Sequence, residues 1–299
     1  MHTLFQVWRV ACFECFTAMR SRRAWVILAL YLAASLFTMN TTISVMSKLE
    51  TKLTQVLQLP VSEKTTTGIV SKKLWDSKPF QDTVKMVSKD SLVYQDVKGK
   101  HPIELIYAWL CFFYAPLLVI LVSANRIPND LYSGAVKYMM FRVSRGAWSV
   151  GKLLGQSLMI AAALLLSAIG AYLVAVIRLK SGIFDLFLPL FGWSIRAWFL
   201  SFAYLGAVMG ISHATRSGSK ATVMGVIVIF LFSIISFLCK FYAERNGFCA
   251  HLLMLLPNGH QTVLWRSSFR PLLYGSSFLL ALGASYFALG YLFFRKRDL

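Results

Sequence analysis

Gly146, Gly151 and Lys152 fit most of GxxxxGK, the pattern whose glycines let backbone N–H groups cradle nucleotide phosphates while the lysine reaches the outer ones. The pattern normally closes with Ser or Thr, whose hydroxyl holds magnesium, but Leu153 stands there instead. No buried strand precedes these residues and an apolar helical stretch follows, so the strand, loop and helix that present a phosphate are missing. A glycine hinge and a lysine at a membrane boundary account for all three residues. ATP binding by this chain is not expected.

Cys12 and Cys15 form a CxxC, yet they sit in an apolar helical stretch with no second pair and no neighbouring His, a weak basis for metal or redox work. The histidines, His2, His101, His213, His251 and His260, show no metal-ligand spacing, and neither HExxH nor GxSxG occurs. Cys239 and Cys249 fall in one region, where an oxidising compartment could join them as a disulfide. Cys111 reads as a small apolar core residue. Catalysis within the chain is not expected, and a lipid-modifying enzyme would lack a polar constellation to work with.

Any functional residue must therefore be positioned by a membrane bundle. Of 299 residues 57% are hydrophobic and only 14% charged, against roughly 25% charged in soluble domains. With mean hydropathy at +0.62, there is too little polar surface to coat a water-soluble body. A disordered chain, a disulfide scaffold and a coiled coil are excluded on the same grounds. Six apolar stretches are long enough to cross a bilayer, which takes about 20 helical residues. They run from Trp25 to Thr42, Leu105 to Ala124, Leu153 to Ile177, Ala197 to Ser212, Ala221 to Cys239 and Leu272 to Phe294. The expected fold is all-α, a single transmembrane domain over 1–299 with six membrane helices. None of the six stretches contains Asp, Glu, Lys or Arg. Ionisable groups in a span usually mark ion paths or proton relays, so uphill transport would draw its energy from outside the spans.

Lys and Arg total 31 against 12 Asp and Glu, a net charge of +19. Without a recognition motif this reads as contact with membrane lipids and no nucleic acid. With the N-terminus inside, the inner segments hold 14 of the basic residues and the outer ones 17, ten of which lie in the long 47–103 loop. Setting that loop aside leaves an inner excess, so both termini are expected in the cytoplasm. No cleavable signal peptide is expected, because the first span starts only after about two dozen residues without a small-residue cleavage pattern.

Within 1–23, Leu4, Val7, Trp8, Ala11, Cys15, Phe16 and Met19 recur mostly three or four apart, ahead of Arg20, Arg22 and Arg23. This predicts a helix lying in the inner interface. Residues 47–103 form a Lys-rich outer loop interrupted by Pro60 and Gly68. The run Ile183 to Trp193, broken by Asp185 and Pro189, is too short to cross and predicts an interfacial segment. Residues 240–271 predict a re-entrant or interfacial outer element ending near Pro257. Ala163, Ser167, Ala171 and Ala175 recur every four residues, and Gly206 with Gly210 makes GxxxG. Both are close-packing faces, within one bundle or between subunits.

Residues 125–152, NRIPNDLYSGAVKYMMFRVSRGAWSVGK, are too long for a tight turn. Asn129 or Asp130 can cap a short helix after Pro128. Leu131, Ala135, Tyr138 and Phe141 or Arg142 then share one side, Lys137 adds charge, and Gly146 and Gly151 permit the turn into the next span. Such an element could dock into a soluble partner and transmit motion; the plain alternative is an ordinary basic inner loop.

The loop resembles that of ABC-2-type transporter permeases, six-span subunits with an acidic residue, a following Gly, a short helix, a Ser-Arg pair and a Gly-Lys at the entry to span three. Here these are Asp130, Gly134, Ser144, Arg145, Gly151 and Lys152. The ending FFRKRDL, with Phe294, Arg297 and Asp298, and Pro257 before span six also look like the family. Ala135 departs from the usual Thr or Ser, and Arg142 lies near a customary Pro. The resemblance implies an exporter: two permease chains, identical or related, and two separate ATPase subunits that hold ATP and magnesium, in a prokaryotic cytoplasmic membrane. It implies a coupling element at Asp130, Leu131, Gly134, Lys137, Tyr138, Arg142, Ser144, Arg145, Gly151 and Lys152, with the N-terminal helix sharing the docking surface. The competing reading is a non-transporting scaffold that binds a partner through 47–103. Cargo is open: lipid-linked, peptide or drug-like molecules, or a path lined by Ser157, Ser167, Ser233 and Ser236.

Overall fold

The computed structural model describes residues 2–57, 75, 81, 91–179, 184–215, 217–242 and 247–296. Among them every regular element is helical. In chain order these are α1 (His2–Arg20), α2 (Arg22–Leu57), α3 (Ser91–Val97), α4 (Pro102–Ser123), α5 (Arg126–Tyr132) and α6 (Ala135–Met140). There follow α7 (Arg145–Leu179), α8 (Phe184–Ala214), α9 (Gly218–Tyr242), α10 (Gly247–Met254), α11 (Gln261–Leu264) and α12 (Phe269–Arg295). Six helices, α2, α4, α7, α8, α9 and α12, are long and apolar enough to cross a membrane. The chain is an all-α, multi-pass membrane protein.

Apolar side chains gain little from leaving lipid for protein, so these helices meet through small residues and interhelical hydrogen bonds. A methyl group on Gly206 of α8 would collide with the Gly283 carbonyl of α12, and one on Gly210 would lie 2.6 Å from the Tyr286 carbonyl. The GxxxG pair thus packs inside this chain. Ala163, Ser167, Ala171 and Ala175 are buried in α7. Ser167 bonds Ser35 of α2 at 2.7 Å, and Ser157 accepts the Trp198 indole N–H of α8 at 3.0 Å. On α4, Tyr107 reaches Ser194 of α8 at 2.8 Å. The helices α2 and α9 are the least enclosed of the six.

The fourth span differs from the sequence expectation. Residues Phe184–Ala214 form one helix of 31 residues, which takes in residues 184–193 of the run predicted to be interfacial, Ile183 lying outside the described residues. Pro189 is near the helix start, where its missing N–H removes only one early bond, and Asp185 in the first turn suits the positive end of the helix dipole. Arg196 consequently lies inside a span, which corrects the expectation of spans free of charge.

The opposite end from the termini is closed by short elements. There α10, a 3-10 turn at Pro257–Gly259 and α11 occupy the segment predicted to be re-entrant or interfacial. In 47–103, Ser47–Leu57 continues α2, and Trp75 with Val93 and Val97 of α3 forms a small apolar cluster against Trp265. Pro60, Gly68, Arg297 and Asp298 lie outside the described residues.

Candidate functional site

α1, the C-terminal end of α12 and the 125–152 loop meet at one end of the bundle, which carries Arg22, Arg23, Arg126, Lys137, Arg142, Arg145 and Arg295. The Arg145 guanidinium donates to the Arg295 carbonyl at 3.2 Å, and the Gln6 side chain accepts from the Ser144 N–H at 3.5 Å. We call this the basic end.

The loop holds two short helices. α5 starts after Asn125, whose side chain makes no capping bond, so Asn129 and Asp130 lie within the helix and do not cap it. The asparagine and aspartate could cap only if Pro128 preceded the first turn, but Pro128 occupies a first-turn position whose N–H needs no partner. Gly134, at φ +70°, breaks α5 from α6, a backbone state that a side chain disfavours. Ser144 caps α7 by accepting from the Ala147 N–H at 3.3 Å. Gly146 and Gly151 therefore lie inside α7, and the reversal happens before them, at 141–144. Gly151 serves another purpose: a methyl group there would come within 2.6 Å of Val10, and one on Gly155 within 2.7 Å of Glu14. These two glycines let α1 lie directly on α7.

Ile127, Pro128 and Val136 anchor the loop in the bundle. Tyr132, Tyr138 and Phe141 project outward, Tyr132 being 89% and Phe141 88% exposed, with Lys137 and Arg142 exposed beside them. Leu131 is half-buried, so the face open at this end is Tyr132, Tyr138 and Phe141. On α1, Leu4, Phe5, Trp8, Phe13, Phe16 and Met19 are also exposed, while Val10, Ala11, Glu14 and Ala18 are buried against the bundle.

Three ionisable residues tie these pieces together. Lys152, only 1% exposed, pairs with Asp130 of α5 at 2.5 Å and with Glu14 of α1. Gln156 donates to the other Glu14 oxygen at 3.2 Å. Lys152 is thus a structural cation, and its helix excludes the phosphate-cradling loop that GxxxxGK would need. Further contacts radiate from the same place: Ser212 of α8 donates to the Ala124 carbonyl at 2.6 Å, and Gly218 at the start of α9 lets Asn129 approach. Sequence reasoning missed Glu14 and Gln156. Their one signal was complementarity, a lone carboxylate in apolar α1 and a lone lysine opening an apolar span.

His213 was also missed as a structural element. Its Nδ1 lies 2.8 Å from the Met209 carbonyl, which can only accept, so Nδ1 carries the proton and Nε2 accepts from Ser149 at 2.6 Å. The ring packs on Phe287 and Phe294, joining α7, α8 and α12. Phe294 also stacks on Trp148.

At the other end, Glu104 of α4 accepts from the Trp193 indole N–H at 2.8 Å and lies 3.8 Å from Lys100. Lys100 and Arg196 both contact the Trp193 ring, and Arg196 donates to the Leu264 carbonyl at 3.1 Å. Arg266 pairs with Asp96 of α3 at 3.4 Å. Cys239 and Cys249 are both free thiols. Among the described residues no group of three His, Cys, Asp or Glu is placed to hold a metal.

At the basic end of the transmembrane bundle a two-helix element is thus joined to both the N-terminal helix and span three. A sequence model of ABC-2 family transporter proteins matches residues 8–299. The chain belongs to that family. No curated protein matches it. As an ABC-2 family member with six membrane-crossing helices, it is a permease subunit acting in substrate transport, and it is not itself an enzyme. The match runs from within α1 through α12, so the ion-paired loop and both ends of the bundle belong to the ABC-2 unit.

Proposed function

We propose that this permease works as an exporter in a prokaryotic cytoplasmic membrane, two permease chains, identical or related, with two ATPase subunits docked on the basic end. The basic end faces the cytoplasm and the termini lie there. α5 and α6 are the coupling element, with α1 in the head-group layer beside them. The observation that carries this reading is the outward aromatic set Tyr132, Tyr138 and Phe141 on an element ion-paired to span three. Burying such side chains against a partner contributes about 1.5–3 kcal/mol each, whereas leaving them in water offers nothing. ATP and magnesium stay with the partner. What this chain supplies is the path by which a displacement of α5 reaches α1, α7, α8 and α9.

The test is copurification in mild detergent. The wild-type chain should retain an ATPase subunit, and Tyr138→Asp with Phe141→Asp should lose it while still inserting. Retention by the double variant, or absence of any ATPase from the wild type, counts against the coupling role. Labelling of Lys137 from the cell exterior would reverse the orientation.

A further inference from the structure

The triad at the basic end is unequal in a way that sets how it can move. Two carboxylates, Glu14 and Asp130, share one ammonium, Lys152. An ammonium with three donors can serve both, but a lysine 1% exposed cannot lose both without leaving an unpaired charge in a dry site. Which partner can leave is decided by surroundings. The Glu14 side chain is 6% exposed, and its second oxygen is held by Gln156. Its helix lies against the glycine face of α7, where Gly151 meets Val10 and Gly155 meets Glu14. Asp130 has 32% of its side chain exposed and rides on a seven-residue helix. That helix ends near Gly134 at φ +70°, where nothing lies within 4 Å of an added methyl group. Released, the Asp130 carboxylate would be taken up by water.

The geometry points to Lys152 as a two-sided pivot: its bond to Glu14 holds α1 and α7 as one body, and its bond to Asp130 is the releasable one that lets the exposed side of α5 and α6 tilt about the buried Ile127, Pro128 and Val136. This deepens the coupling role proposed above, on which its functional meaning rests. Lys152 stays compensated in both positions by Glu14, so release does not strand a buried charge. Lys152 and Glu14 are positioning residues, acting through the loop they hold.

Hydrogen exchange read by mass spectrometry on the full chain in lipid nanodiscs tests this without any ATPase. Asp130→Asn should speed exchange in 126–140 by about tenfold, as expected for loss of one charge-assisted bond. Exchange in α1 and 147–156 should stay as in wild type, with an unchanged melting temperature. Glu14→Gln should speed exchange in both α1 and 147–156. Lys152→Arg, which keeps the charge between both carboxylates, should leave exchange in both places as in wild type. Should Glu14→Gln fail to insert, the double variant Glu14→Gln, Lys152→Gln removes the charges together; adding Asp130→Asn to it should change nothing further in 126–140. Equal loosening of α1 and α5 by Asp130→Asn, or a further effect of Asp130→Asn in that double background, overturns the pivot. A pivot that passes in a chain that binds no ATPase would leave the mechanics standing and remove only the coupling role.

Discussion

Gly206 and Gly283 bring the backbones of α8 and α12 together so closely that a methyl group on Gly206 would strike the Gly283 carbonyl. The obstacle is backbone, which cannot turn aside as a side chain would. Gly206→Ala should therefore part the two helices and destabilise the bundle by about 1–3 kcal/mol, the usual cost of overpacking. Thermal unfolding in detergent should show the loss. Gly192→Ala, on the same helix with nothing within 4 Å of the added carbon, is the control and should melt with the wild type.

At Gly134 the demand is conformational. A φ of +70° is closed to proline, whose ring holds φ near −65°, so Gly134→Pro must redirect α6. We expect insertion to persist and transport-linked ATP hydrolysis to fall away. Asp130→Lys should do the same for an electrostatic reason, since it faces Lys152 with a second cation. Normal transport by both variants would remove α5 and α6 from the transmission path.

His101 makes the opposite end sensitive to pH. Its Nδ1 accepts from the Ile103 N–H at 3.3 Å and caps α4, which requires that nitrogen to be unprotonated. Burial lowers its pKa below the ordinary 6.5, and the nearby Glu104 carboxylate only partly opposes this. The folded value lies below the unfolded one, so the cap's contribution is complete above 6.5 and is lost as pH falls through 6.5 toward the folded value. Between about pH 8 and pH 5 the melting temperature should drop by the equivalent of about 1 kcal/mol, the worth of a helix cap. In His101→Asn, which caps without titrating, that drop should vanish.

Glu104 is the shared anion for Lys100 and the Trp193 indole in the same region. Glu104→Ala leaves two cations on one ring, Lys100 and Arg196, and should destabilise the fold by about 3 kcal/mol, as for a broken buried pair. Glu104→Gln, which can still accept from Trp193, should lose less. Thermal melts of the pair decide between charge and hydrogen bonding.

Cys239 and Cys249, both free thiols, bear on orientation. With the basic end in the cytoplasm they face the oxidising side, and a disulfide is expected to form there. Maleimide labelling before and after reduction reads it: full labelling of both thiols without reductant, in protein taken from an oxidising periplasm, would count against that sidedness.

The number of spans and the all-α class were legible because bilayer solvation acts residue by residue: about 20 apolar residues in a row suffice, wherever their neighbours lie. The loop bearing Asp130, Gly134 and Lys152 could be found for a similar reason, its polarity standing out between two apolar runs. What escaped was whatever depends on partners far apart in the chain. The run Ile183 to Trp193 reads as too short to cross until α8 joins residues 184–193 to the span after them. Arg196 reads as a boundary charge until Trp193, Glu104 and the Leu264 carbonyl surround it. Gly151 reads as a turn until Val10 is set against it. Glu14 and Lys152 lie 138 positions apart, and no local pattern relates them; only the packing of α1 on α7 makes them a pair. Sequence alone determined which segments lipid would accept, since that is a property of each segment by itself. Tertiary structure decided where the remaining charges are compensated, because compensation is a property of distance.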